Sequence, residues 1–247
     1  MFKRTLQSLT FCIVFLGWLV STAFCASALE FYTEDFPPYN YVEDGKLKGI
    51  GPKIVRELMA EVGESPDIIV LPWVRAYKYA QERSNSAIFS IVRTPNRESE
   101  FQWVGPLYTV RVGLYAAGEN RQLYSHDNDA NLAQAMKTGN IAVQLGGAGE
   151  ELLTSRGFKN LNPVLNVEKS LFLLLKGRYD LLETSDVFMA YAIEKEGLAV
   201  EAASEAVLIG QYDMYLAFSN NTPAAVVQKW QDALDRLRKR TASPDLS

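Results

Sequence analysis

Residues 29–63 read LEFYTEDFPPYNYVEDGKLKGIGPKIVRELMAEVG, and three signals follow one another in them. Leu29 to Thr33 is a short strand, Phe36-Pro-Pro-Tyr39 breaks it into a loop, and Gly51-Pro52 opens a helix. Proline costs nothing in a first helical turn, because the first N–H groups of a helix have no acceptor within it. Ile50, Ile54, Leu58 and Val62 recur every four residues and share one face, and Gly63 ends the run. Further along, Ile68 to Leu71 and Ala87 to Ser90 are apolar enough for buried strands, with a helix from Arg75 to Arg83 between them. Strands alternating with helices call for a mostly parallel sheet, so the predicted fold class is α/β.

A second series follows. Val110 to Ala117 is extended, and the polar stretch Glu119 to Asn131 is the best linker candidate. Then come a strand at Ile141 to Gln144, a glycine loop and a helix from Glu150 to Arg156. A strand at Val164 to Val167, a helix from Glu168 to Lys176 and a strand from Tyr179 to Glu183 complete it. The expectation is two sheets in two lobes. Met214 to Phe218 is a late strand, followed by Thr222-Pro223 and a last helix with Val227, Trp230, Leu234 and Leu237 on one face.

Composition narrows the function classes. With 247 residues, 48% of them hydrophobic and 22% charged, the chain can bury a real core. A net charge of -4 argues against partners bound through phosphates, so no nucleic acid is expected. One histidine, His126, and two cysteines, Cys12 and Cys25, leave too few ligands for a Cys/His zinc site, and a histidine triad would have to use His126. No metal and no cofactor are expected, and His126 reads as a surface residue. Asp127-Asn-Asp129-Ala-Asn131 has the opening spacing of a calcium loop, but Leu132 and Thr138 stand where glycine and glutamate are needed, so it reads as a helix cap.

The first 28 residues read as a secretory signal peptide. Lys3 and Arg4 precede an apolar run from Phe11 to Val20, and Ala26-Ser27-Ala28 supplies small residues for cleavage after Ala28. The run is shorter than the roughly 20 residues that span a bilayer. Lipidation at Cys25 is disfavoured by Phe24 before it. The expected location is the periplasm, and the mature chain, without cysteine, must rely on an ordinary core.

Three features are candidates for binding. Gly146-Gly-Ala-Gly149 lies between a strand and a helix start, where free N–H groups and the helix dipole favour an anion, although a tight turn without ligand has the same sequence. Phe36, Tyr39 and Trp73 fall at strand ends or in the loops after strands, where open α/β sheets bind ligands. Arg97, also beyond a buried strand, can grip a carboxylate with two parallel bonds. By contrast, Arg236, Arg238, Lys239 and Arg240 read as solvated cations at a helix C-terminus.

Phe36-Pro-Pro-Tyr39, Gly45 and Gly49, Ser90 to Arg97, Trp103-Val-Gly-Pro106, Val143 to Gly146 and Leu175 to Asp180 occur in an order that resembles the extracellular solute-binding proteins of family 3. These are the polar amino-acid binders of ABC importers, and Leu71-Pro-Trp-Val-Arg-Ala76 is similar to one branch of them. The resemblance implies a type II periplasmic binding protein, with two α/β lobes joined by two hinge strands. Lobe 1 would be residues 29–115 plus 213–247, and lobe 2 residues 116–212. It implies a small-molecule ligand, an amino acid or related carboxylate, trapped between the lobes of a monomer. Phe36 and Trp73 would sandwich the ligand, and Arg97 would hold its carboxylate with help from Ser90, Gly147, Ala148 and Gly149.

Three positions depart from the family pattern: Ser185, with Asp186 one residue late, where an aspartate binds the amine; Val92 in place of a hydroxyl; and Ser219 where many members have a basic residue. A bulge would aim Asp186 into the cleft and without one Ser185 lines it, and Asp186 is the expected choice. The expected role is binding rather than catalysis, in partnership with an inner-membrane permease. A sensor without a transporter, and a dehydratase-like enzyme using Glu183 and Asp186, are the alternatives.

Overall fold

The structure, a computed structural model, describes residues 28–137 and 139–242. The apolar run, Cys12, Cys25 and Thr138 lie outside the described residues. The chain opens with β1 (Glu30–Thr33), the hairpin β2 (Tyr41–Glu43) and β3 (Lys46–Lys48), α1 (Ile50–Val62), β4 (Asp67–Val70), α2 (Trp73–Glu82) and β5 (Ser86–Val92). A long strand, β6 (Phe101–Ala117), leads to a 3-10 turn and to α3 (Asn128–Ala135). Then follow β7 (Ile141–Gln144), α4 (Ala148–Ser155), β8 (Leu161–Val164), α5 (Val167–Leu175), β9 (Leu181–Ser185) and α6 (Asp186–Lys195). A second long strand, β10 (Ala203–Ser219), and α7 (Ala224–Ala242) end the described chain.

The α/β alternation holds, but apart from the separate β2-β3 hairpin the strands of both expected lobes form one hydrogen-bonded sheet and not two, in the order β4-β1-β5-β10-β6-β9-β7-β8. The reason is the length of β6 and β10, 17 residues each, which pair antiparallel from Phe101 with Ser219 to Ala117 with Ala203. One end of this ribbon pairs with β5 and the other with β9. In each half the first strand lies between the second and the third, all parallel: β1 between β4 and β5, and β7 between β8 and β9.

Local chemistry moves several boundaries from their expected places. The strand expected at Val164 to Val167 stops at Val164, because the Asn166 side chain accepts the Lys169 N–H and starts α5. The strand expected from Tyr179 runs from Leu181 to Ser185, because residues 177–180 complete the exit of α5, where the Arg178 N–H bonds the Leu173 carbonyl. The expected linker holds the 3-10 turn and the start of α3, with Asp127 accepting the N–H groups of Asp129 and Ala130 as its cap. Asp127 therefore acts as a helix cap, and His126 is exposed.

The first half is packed around aromatic rings. Phe31, Phe89, Phe218 and Trp230 sit under α1 and α7, with the Phe31 and Trp230 rings 4.8 Å apart. Trp230 is fully buried with Val227 and Leu234, the apolar face expected of the last helix. The cations at the end of α7 lie at the surface, where Arg236 and Arg240 both pair with Glu61 of α1. The second half is mostly aliphatic, with Leu171, Leu174 and Leu182 on one face and Ile141, Val143, Leu153 and Leu181 on the other. Burial of each such side chain contributes about 1.5–3 kcal/mol.

Candidate ligand-binding cleft

The loops after β1 and β4, the end of β5, the loop after β7 and the end of β9 converge where the two halves of the sheet face each other. They enclose a cavity whose lining includes Phe36, Trp73, Ser90, Arg97, Gly147, Ala148 and Gly149, seven of the eight residues expected from the sequence. Asp186 is not in the lining, and Ser185 is. The β9 register explains this correction. Ser185 is the last residue of β9, opposite Val112, and also the N-cap of α6, where its Oγ accepts the Phe188 N–H at 3.1 Å. Asp186 is thus the first residue of the helix, and its carboxylate accepts the Val187 N–H. No bulge turns it inward.

Ser90 is placed by backbone geometry. Phe89 pairs with Leu216 and Ile91 with Tyr215, so Ser90 is the extra residue of a bulge in β5, and its φ is 62°. A left-handed conformation is uncommon for serine, and here it is held by two hydrogen bonds. Ser90 Oγ donates to Asn40 Oδ1 and accepts from Tyr108 Oη, both at 2.7 Å. Burial raises the Tyr108 phenol above its usual range, which keeps it a donor.

The two halves meet through hydrogen bonds across the cavity. Trp73 Nε1 donates to the Gly146 carbonyl at 2.7 Å, and Tyr39 Oη to Ser185 Oγ at 2.9 Å. The Phe36 ring, expected to clamp a ligand, lies stacked 4.8 Å from Phe188 of α6. Arg97 is 1% exposed, and its guanidinium is held by the chain itself. Its Nε donates to Glu151 Oε1 at 2.7 Å, its Nη2 to the same carboxylate and to the Gly146 carbonyl at 3.0 Å, and its Nη1 to the Val92 carbonyl. Thr94 Oγ1 donates to the other Glu151 oxygen at 2.8 Å. The guanidinium also lies 5.3 Å from the centre of the Trp73 ring, within cation–π range.

Two carboxylates line the cavity, one from each half. Glu34, just after β1, accepts Gln144 Nε2 at 2.5 Å, and burial pushes its pKa up to about 8. Glu183, in β9, has a pKa pushed up to about 7 by burial alone. Its carboxyl group fills the space that a Cβ on Gly149 would occupy, so any larger residue at that point of α4 would have to push the Glu183 side chain aside. Glu34 escaped the sequence reading, although its place one residue beyond a strand was a usable signal. Among the described residues no cluster of His, Cys, Asp and Glu could hold a metal ion, and no helix is long and apolar enough to cross a membrane.

Comparison with known proteins agrees with this architecture. Residues 31–242 match the model of the bacterial extracellular solute-binding proteins, family 3. No curated sequence is similar enough to count as a relative. A histidine kinase sensor domain with similarity to periplasmic binding proteins has a TM-score of 0.74 at 17% identity, covering 87% of this chain and 92% of its own. An ancestral arginine-binding protein bound to arginine has a TM-score of 0.73 at 16% identity, covering 87% and 93%. The arginine-, lysine-, histidine-binding protein ArtJ from Geobacillus stearothermophilus has a TM-score of 0.69 at 16% identity, covering 85% and 90%. The fold is that of the type II periplasmic binding proteins, and the chain belongs to the bacterial extracellular solute-binding proteins of family 3.

Proposed function

We propose that this chain is an exported receptor that closes around one amino-acid-sized polar solute and presents the closed form to an inner-membrane ABC permease. The carrying observation is the cavity walled by both halves of the sheet, since a ligand held from two sides shifts the open and closed populations by its preference for one of them. In this reading residues 29–115 plus 213–247 form one lobe and 116–212 the other, hinged on β6 and β10. The protein acts in the periplasm as a monomer without cofactor. A sensory role would use the same closure, and a gene neighbourhood with a permease and an ATPase separates transport from sensing. The buried carboxyl groups Glu34 and Glu183 favour one further reading, a dehydratase-like enzyme, which mass spectrometry of the bound ligand after incubation tests.

Two outcomes are expected. N-terminal sequencing of the exported protein should begin at Leu29, and retention of the apolar run would refute the assigned location. In a thermal-shift screen of amino acids, amines, organic acids and small peptides, a ligand at 100 times its Kd should add about 2.7 kcal/mol, raising Tm by roughly 5–10 °C. Silence across all four classes would overturn the receptor reading.

A further inference from the structure

Of the groups expected to receive a ligand's carboxylate, the Arg97 guanidinium is already taken by a carboxylate of the chain, and two further carboxyl groups stand at the start of α4. Glu151 takes the Arg97 guanidinium and the Thr94 hydroxyl. Glu150, in the first turn of α4, accepts the Gly146 N–H at 2.6 Å. Glu183 covers Gly149 at the same helix start. An incoming anion would have to displace the Arg97–Glu151 pair, whose arginine is buried, and then lie beside Glu34 and Glu183.

Apart from Arg97 and two tyrosines, the titratable groups in the cavity are carboxyl groups. Its titratable lining includes Glu34, Arg97 and Glu183, and with Arg97 paired to Glu151 neither of the other two carboxyl groups forms an ion pair among the described residues, although Arg97 acts on Glu34 from a distance. Glu34 has one neutral donor, Gln144, and Glu183 has no hydrogen-bond donor among the described residues. Carboxyl groups held this way are costly to ionise until a cation reaches them. The lining also includes Trp73 and Tyr212, aromatic residues of the kind that attract cations through their ring quadrupoles, whereas Phe36 and Tyr39 are stacked on other rings.

We propose that the solute is an organic cation without a carboxylate, an amine or guanidinium compound whose charge lies between Glu34 of one half and Glu183 of the other. The proposal rests on the receptor reading and names the charge of its ligand. The Arg97–Glu151 pair is then a latch between the halves in the closed form, and the anchoring that the family resemblance assigned to Arg97 passes to the two glutamates.

Thermal shift and calorimetry with matched probes test it: agmatine against arginine and cadaverine against lysine, which differ only in the carboxylate, with succinate and glutamate as anions. At least one decarboxylated probe should bind tenfold or more tightly than its amino acid, and the anions should not bind. Glu34→Gln and Glu183→Gln should each weaken that binding at least tenfold while the unliganded protein keeps its Tm or gains. Equal or tighter binding of arginine or lysine, or binding of an anion, would overturn this proposal and leave the receptor reading standing. So would cation binding that survives both substitutions. Silence of every probe here and of every class in the wider screen would end both.

Discussion

The two halves of the sheet share a strand order yet bring opposite chemistry to the cleft. The first half reaches across with donor side chains placed beyond the ends of its strands: Trp73 at the start of α2, and Arg97, Thr94 and Tyr39 on loops. The second half receives them on a main-chain carbonyl at Gly146, a carboxylate at Glu151 and a hydroxyl at Ser185. Only Gln144 to Glu34 runs the other way among the hydrogen bonds described across the cleft. The same topology can therefore carry a donor face and an acceptor face, because sheet order fixes where loops meet and leaves their side chains free.

The comparison breaks most readily at Arg97. Arg97→Ala leaves Glu151 with only the Thr94 hydroxyl and the Gly146 carbonyl with only Trp73 as donors, and loss of one partner of a buried pair costs about 3–5 kcal/mol. Tm should fall by roughly 6 °C or more, read by calorimetry. Arg97→Lys should recover little, since one ammonium cannot bridge a carboxylate and two carbonyls. An unchanged Tm in Arg97→Ala would mean that the halves part when no ligand is bound.

A smaller effect should appear with pH. Glu34 is raised from 4.5 to about 8 in the folded protein by burial, opposed by the Gln144 hydrogen bond and by Arg97 and reinforced by Asp35. The folded state then holds a proton that the unfolded state releases, so this stability is full below about pH 4.5 and is lost as pH rises to about 8. Chemical denaturation of Glu34→Gln and the parent at pH 5 and pH 8 should show the variant gaining on the parent at the higher pH. A difference independent of pH would place Glu34 in water and weaken the acidic character assigned to the cleft.

The smallest effect is at Tyr39. Tyr39→Phe removes one buried hydrogen bond across the cleft, about 1 kcal/mol, while Ser185 still caps α6 through the Phe188 N–H. A loss several times larger would show that the Tyr39 ring, stacked between Phe36 and Tyr108, depends on its hydroxyl for position.

Legibility followed the range of the interactions. Helix α1 was readable because four-residue periodicity and a proline in the first turn are local, and so was the loop after β7, with its glycines between a strand and a helix. The first eleven residues of β10 were not, because its register shifts near Glu205, Leu208 and Met214 break the alternation that marks a strand. The partner of Arg97 lies 54 residues away in the other half, beyond any spacing rule.

The sequence by itself determined most of the helices and the short strands and their order, because periodicity, caps and turn residues act within a few positions of one another, and the family resemblance implied that loops of the two halves meet at a cleft. It placed Phe36, Trp73, Ser90, Arg97 and Gly147 to Gly149 at the cavity. Only the tertiary structure decided that Ser185 faces the cavity instead of Asp186, since a strand register is set by pairing with β6. It alone showed Arg97 bound by Glu151 and Glu183 set against Gly149, because charge balance in a buried site is fixed by groups that only folding brings together.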